Sequence, residues 1–121
     1  MNPPSDRLVY APGEDVRIVW TYRGDINEIT HQRLSFTGAS TYLVIVRNGK
    51  VSRRVSNGLD FQFVLPFTVI LKNINQTYNG TYTMEAGLAS GMLPRSPVPV
   101  FIAGLFVDLS VLGWIDRKSV V

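Results

Sequence analysis

Few side chains in this sequence are of reactive types, and those present do not form a reactive set. There is one histidine, His31, and no cysteine. A lone histidine without a carboxylate pair nearby is ordinarily a surface or strand residue rather than a base or ligand. No glycine-rich phosphate loop and no metal-ligand spacing occur. The expectation is therefore a non-enzyme, with no catalytic residue, cofactor, metal or small-molecule substrate. What the chain does offer is acceptor chemistry. Asn75-Gln76-Thr77 and Asn79-Gly80-Thr81 are both N-x-T triplets, which are glycosylation acceptors, and they stand four residues apart. Two in one expected exposed turn favour a glycosylated protein of the secretory pathway.

The charged residues speak about partners. Nine of the twelve basic residues are arginine, the type suited to planar, bidentate or stacked contacts. Only Arg47, Lys50, Arg53 and Arg54 cluster, and the net charge is +3. A nucleic-acid binder carries a denser basic stripe with interleaved aromatics, so no nucleic-acid partner is expected. With Phe36, Tyr42 and Glu85, the cluster is instead a candidate protein-binding face, because arginine and aromatics dominate binding hot spots. The plainer alternative is that these arginines solvate an edge strand and discourage edge-to-edge aggregation.

These residues need a scaffold. A chain of 121 residues, 45% apolar and 17% charged, is one globular domain large enough to bury a core. The absence of cysteine by itself fits a reducing compartment; the paired triplets weigh more heavily the other way. Glycine and proline punctuate short β-like runs, and no long window sustains a helical period. Val16, Ile18 and Trp20 alternate with Arg17, Val19 and Thr21 as a half-buried strand. Tyr42 to Val46 is followed by Asn48-Gly49, a two-residue hairpin turn. Further strands are expected at Phe61 to Leu65, Phe67 to Leu71, Thr81 to Leu88 and Val98 to Leu109. The apolar run from Val98 to Ile115 approaches the length of a membrane span, but Asp108 in its middle, with Pro99, Gly104 and Gly113, favours a long final strand. Residues 111–121 are expected to be a linker, the start of a following domain or an added tail, after a domain at 1–110. Met1 to Asp6 lacks the basic and apolar regions of a secretory leader, so an extracellular protein would be represented here by a mature fragment with an added Met.

Three strings carry a resemblance. Gly13-x-x-Val16-x-Ile18-x-Trp20, Tyr78-Asn79-Gly80-Thr81-Tyr82-Thr83-Met84 and Phe101-x-x-Gly104-x-x-Val107-x-Leu109 occur in the order of strands B, F and G of variable-type (V-set) immunoglobulin domains. The chain resembles that family, but with Trp20 and Met84 where the inter-sheet cysteines belong. The resemblance implies an all-β immunoglobulin-like sandwich, two antiparallel sheets in a Greek key, with strands A, B, E, D against G, F, C, C′, C″. It implies that Trp20 and Met84 meet in the core, that Tyr82 forms the tyrosine corner, and that Phe101 and Gly104 form a bulge on the last strand. The family's strand C tryptophan is missing between Ile29 and Phe36. The usual aspartate two residues before Gly80 is Tyr78, so the corner there must be held without the family's Arg–Asp bridge.

Among V-set relatives lacking the disulfide, the chain is most similar to the membrane-distal domain of hydroid (cnidarian) allorecognition receptors. That implies an extracellular cell-surface receptor domain for adhesion, binding protein rather than small molecules. The partner would be the same protein on an opposing cell, contacted homophilically through the front sheet, with Asp25, Glu28 and Glu85 as acidic counterparts of the basic hairpin. The membrane would be reached only through a segment outside this chain. The alternatives are an intracellular structural immunoglobulin-like scaffold module and a viral or bacterial immunoglobulin-like adhesin.

Overall fold

The computed structural model describes residues 1–103. Nine strands run in chain order: β1 (Leu8–Tyr10), β2 (Val16–Val19), β3 (Ile29–Phe36), β4 (Val44–Arg47), β5 (Lys50–Arg54), β6 (Phe61–Val64), β7 (Thr68–Leu71), β8 (Gly80–Leu88) and β9 (Arg95–Ile102). Single 3₁₀ turns at Ile26–Glu28 and Gln76–Tyr78 complete the elements. The strands form a six-stranded sheet, β1-β9-β8-β3-β4-β5, and a three-stranded sheet, β2-β7-β6. This is the all-β, immunoglobulin-like sandwich that the three strings imply. The β4–β5 hairpin turns at Asn48 and Gly49, both at positive φ (52° and 77°), the conformation an Asn-Gly pair adopts readily.

One part of the expected topology is corrected. β1 does not join the smaller sheet; it lies parallel to β9, with Leu8 opposite Val100 and Tyr10 opposite Ile102. Only Asn2, in an isolated bridge to Thr21, touches the β2 side. The last strand also begins earlier than expected, at Arg95 rather than Val98. Gly104, Val107 and Leu109, and with them most of the expected bulge and the expected boundary between 110 and 111, lie outside the described residues. Phe101 itself runs in regular register opposite Val9 and is half exposed.

The core lies between the two sheets and follows from strict alternation. Val16, Ile18 and Trp20 are buried while Arg17 and Val19 face water. Trp20 is 2% exposed and Met84 is fully buried. Trp20 Nε1 donates to the Ser96 carbonyl at 2.9 Å, and Ser96 is the cross-strand neighbour of Met84. The indole therefore crosses from one sheet to the other at the Met84 level. On the other side of Met84 the inward residue is Leu34, also fully buried. A leucine thus stands where a strand tryptophan was lacking, and Trp20 supplies the aromatic volume from the opposite sheet.

The corner between β7 and β8 is closed by two tyrosines. The Tyr82 hydroxyl, in the core, donates to the Tyr78 carbonyl at 2.8 Å. Burial first, and Tyr78 second, raise the Tyr82 phenol above its ordinary pKa, so it remains a donor at any physiological pH. Tyr78, only 3% exposed, accepts from the Asp60 N–H at 2.8 Å and donates to the Lys72 carbonyl at 3.0 Å. Its hydroxyl joins the start of β6 to the end of β7. Gly80 follows with φ 150°, and a Cβ there would collide with the Phe36 ring and Thr37.

Two outcomes are expected in denaturant unfolding. Trp20→Ala costs about 3–5 kcal/mol, whereas Trp20→Phe costs less because it keeps most of the volume and loses chiefly the bond to Ser96. Tyr78→Phe costs about 1–3 kcal/mol by leaving the Asp60 N–H and Lys72 carbonyl without a partner.

Candidate functional site

The outer face of the six-stranded sheet is built by alternation. Odd-numbered residues of β3 from His31 to Ser35 face outward, because Gln32, Leu34 and Phe36 face the core. Cross-strand register then aligns one row across five strands: Arg53 opposite Ile45, Ile45 opposite Arg33, Arg33 opposite Glu85, and Glu85 opposite Arg95. The next row toward the hairpin turn aligns Lys50, Arg47, His31 and Gly87. The face is therefore cationic, with Glu85 as the one acid in these rows.

Glu85 is a bridging group. Its carboxylate lies 3.1 Å from Arg33 Nε through Oε1 and 3.2 Å from Arg95 Nε through Oε2. The glutamate side chain is 9% exposed, Arg33 25% and Arg95 64%, so the acid lies beneath the two guanidinium groups. Both arginines turn Nε toward Glu85 as ion pairs, the Arg33 N–H without hydrogen-bond alignment, and among the described residues no side-chain hydrogen bond takes up their terminal nitrogens. Arg33 also lies over the Tyr42 ring, 5.0 Å from its centroid, a cation–π contact. Ser35, Ser40 and Tyr42 border a shallow recess that ends on Glu85 and Arg95.

Several expected face residues lie elsewhere or do something else. Phe36 is corrected: it is 4% exposed, points into the core and stacks on Tyr82 with centroids 4.6 Å apart. It holds the sandwich together and presents nothing to a ligand. Glu85 is not a free acid for a partner's basic hairpin, since two arginines of its own sheet already hold it. Arg54 leaves the cluster as well. Its guanidinium sits 4.3 Å from the Phe61 ring centroid and donates to the Phe61 carbonyl, tying the edge strand β5 to β6 of the other sheet. Arg47, Lys50 and Arg53 are exposed, and Tyr42 is partly so.

The acceptor asparagines sit at the far end of the sandwich from the β4–β5 turn. Both residues are exposed. Asn75 caps the 3₁₀ turn, its Oδ1 accepting from the Thr77 N–H at 2.9 Å and from the Thr77 hydroxyl. The Asn79 carboxamide is used at both ends: Nδ2 donates to Gln76 Oε1 at 3.0 Å, and Oδ1 accepts from the Ile102 N–H.

Sequence reasoning missed Arg33 and Arg95, the two arginines that flank Glu85. The available signal was Arg33 alternating with Gln32 and Leu34. It also missed an apolar tip, Ile26, Met92 and Leu93, each more than half exposed, on the loop before β3 and the β8–β9 hairpin. The Ala89 N–H to Glu28 carbonyl bond, 2.9 Å, joins these two loops. Among the described residues there is no group of three or more potential metal ligands, and no helix is long and apolar enough to cross a membrane.

With this geometry the class is clear: an immunoglobulin-like β-sandwich. Among solved structures the chain is similar to the first Ig-like domain of human CD48 antigen, with TM-score 0.65 and 13% identity over 84% of this chain and 86% of that one. It is also similar to a structure from work on the multimeric cell-adhesive interactions of VGSC beta subunits, with TM-score 0.61 and 12% identity over 80% of this chain and 90% of that one. No family model and no curated protein matches the sequence.

The division of labour between adjacent arginines gives a direct expectation. Arg54→Ala lowers stability by about 1 kcal/mol through loss of the Phe61 contacts. Arg53→Ala stays within about 0.5 kcal/mol of the parent. Thermal melts of the two variants side by side check the difference.

Proposed function

We propose that this domain is an extracellular recognition module of a cell-surface adhesion receptor, binding protein through the outer face of its six-stranded sheet. The ligand in this reading is the same protein on an opposing cell, as in allorecognition. The observation that carries it is the cationic face itself: Arg53, Arg33, Arg95, Arg47 and Lys50 gathered on one sheet, over a single carboxylate that is already paired. Arg33 and Arg95 are held by a buried acid, and Arg33 also by Tyr42, so they are preorganised and lose less entropy on contact. The solved structures it is similar to include one described in terms of cell-adhesive interactions, which agrees with this reading.

Glycosylation belongs to the same reading. Asn75 and Asn79 lie by the corner that precedes β8, remote from the β4–β5 hairpin, so glycans there leave the sheet face clear. Asn75 is the better acceptor, since Asn79 is committed to Gln76 and Ile102. The competing reading, an intracellular scaffold module, draws on the absence of cysteine. Expression in a secretory host separates the two: a glycan mass shift abolished by Asn75→Gln is expected, and an unmodified secreted chain would favour the scaffold.

The face is tested by charge reversal. Beads coated with the domain are expected to aggregate, with weak single contacts multiplied by avidity of ~10²–10⁴. Lys50→Glu with Arg53→Glu is expected to stop aggregation, while Arg17→Glu on the opposite sheet leaves it unchanged. Arg54 is kept, because its loss would confound binding with stability. Aggregation that survives the double change and fails on Arg17→Glu would move the contact to the smaller sheet.

A further inference from the structure

A cationic face cannot lie squarely on its own copy, because like charges would meet. We infer that self-recognition is offset, with Glu28 of each copy seated between Arg33 and Arg95 of the other. This rests on the self-binding reading above and names its contact.

The argument starts from which acids are free. Glu85 is held by two arginines. Glu14 accepts from the Ala11 N–H at 2.7 Å, and Asp15 accepts from the Asn73 N–H and pairs with Lys72 at 3.7 Å. Asp25 is occupied as the cap of the first 3₁₀ turn. Asp60 stands beside β6 on the smaller sheet, and Asp6, also exposed, precedes the outermost strand β1 of the larger one. Glu28 combines exposure, no side-chain partner among the described residues, and a place at the start of β3, a central strand of the six-stranded sheet. Its position is fixed: its carbonyl is bonded to Ala89, and a register shift between Ile29 and His31 packs Ile29 on the core beside it.

The receiving site is equally defined. Arg33 and Arg95 approach Glu85 through Nε, which leaves their terminal nitrogens for a second carboxylate above the first. Bidentate arginine–carboxylate contact is the strong form of such a pair. The Tyr42 ring and the hydroxyls of Ser35 and Ser40 border the same recess. Five residues of strand separate Glu28 from Arg33, a span on the order of 17 Å. A two-fold axis in the contact plane, midway between them, brings both Glu28 carboxylates over both arginine pairs at once, as an isologous interface requires. The exposed apolar tip of each copy is carried toward the same contact.

The test is a charge swap on beads coated with the domain, each variant first shown to melt like the parent. Parent beads are expected to aggregate, and Glu28→Arg beads and Arg95→Glu beads are each expected to lose aggregation when used alone. Mixed together, the two variants are expected to co-aggregate, because Arg at 28 then faces Glu at 95 and Glu28 faces Arg95. Variants that aggregate alone like the parent, or a mixture that stays dispersed, overturn the Glu28 contact while leaving self-binding through this sheet in place. Parent beads that never aggregate overturn both.

Discussion

Nothing covalent holds the two sheets of this domain together, so its structure depends on one filled interior level at Trp20 and Met84. A disulfide there would restrict the unfolded chain by about 2–4 kcal/mol. Here the same level is held by packing and by one directed bond, from the indole to the Ser96 carbonyl across the sandwich. An indole that hydrogen bonds at its far end is fixed in depth and rotation, so it sets the separation of the sheets as well as filling it. Leu34, Met84 and Val98 can then pack closely, all with negligible exposure.

The same substitution of directed bonds for a missing partner recurs at the β7–β8 corner. Tyr78 holds it with two neutral hydrogen bonds, accepting from the Asp60 N–H and donating to the Lys72 carbonyl. A buried ion pair carries a desolvation penalty that its Coulomb attraction must offset. A phenol reaches the same two strands without burying charge. Tyr82 and Phe36, stacked beneath, make the corner continuous with the core.

A rigid interior leaves the outer sheet face free to vary, and its chemistry is assembled from strands distant in sequence. Arg33, Glu85 and Arg95 become one group because β3, β8 and β9 are neighbours in exact register. Glu85 lies beneath two arginines, and Tyr42 contacts one of them. Electrostatic complementarity of this kind contributes specificity and encounter rate more than raw affinity.

How far the sequence reached follows from what each element depends on. Local pattern was sufficient for β2, for the Asn48-Gly49 hairpin and for the sandwich class, because period-two burial and a turn requiring positive φ are properties of a few adjacent residues. The inward places of Trp20 and Met84 came from the resemblance of the strings around them. The strand pairing of β1 was not legible: three residues with no alternation distinctive of either sheet can extend whichever edge the chain passes. Phe36 and Tyr42 look alike as exposed-strand aromatics in sequence, and only the side of β3 that packs on Tyr82 sends one inward. Arg53 and Arg54 are neighbours with the same side chain, yet the strand's pleat gives one to solvent and one to Phe61. The sequence by itself determined β2, the Asn48-Gly49 turn and the alternating core residues of β2, since those depend on local periodicity and apolar volume. Only the tertiary structure decided that Arg33, Glu85 and Arg95 form a single site, because cross-strand register brings together charges that the chain separates by 10 to 62 residues.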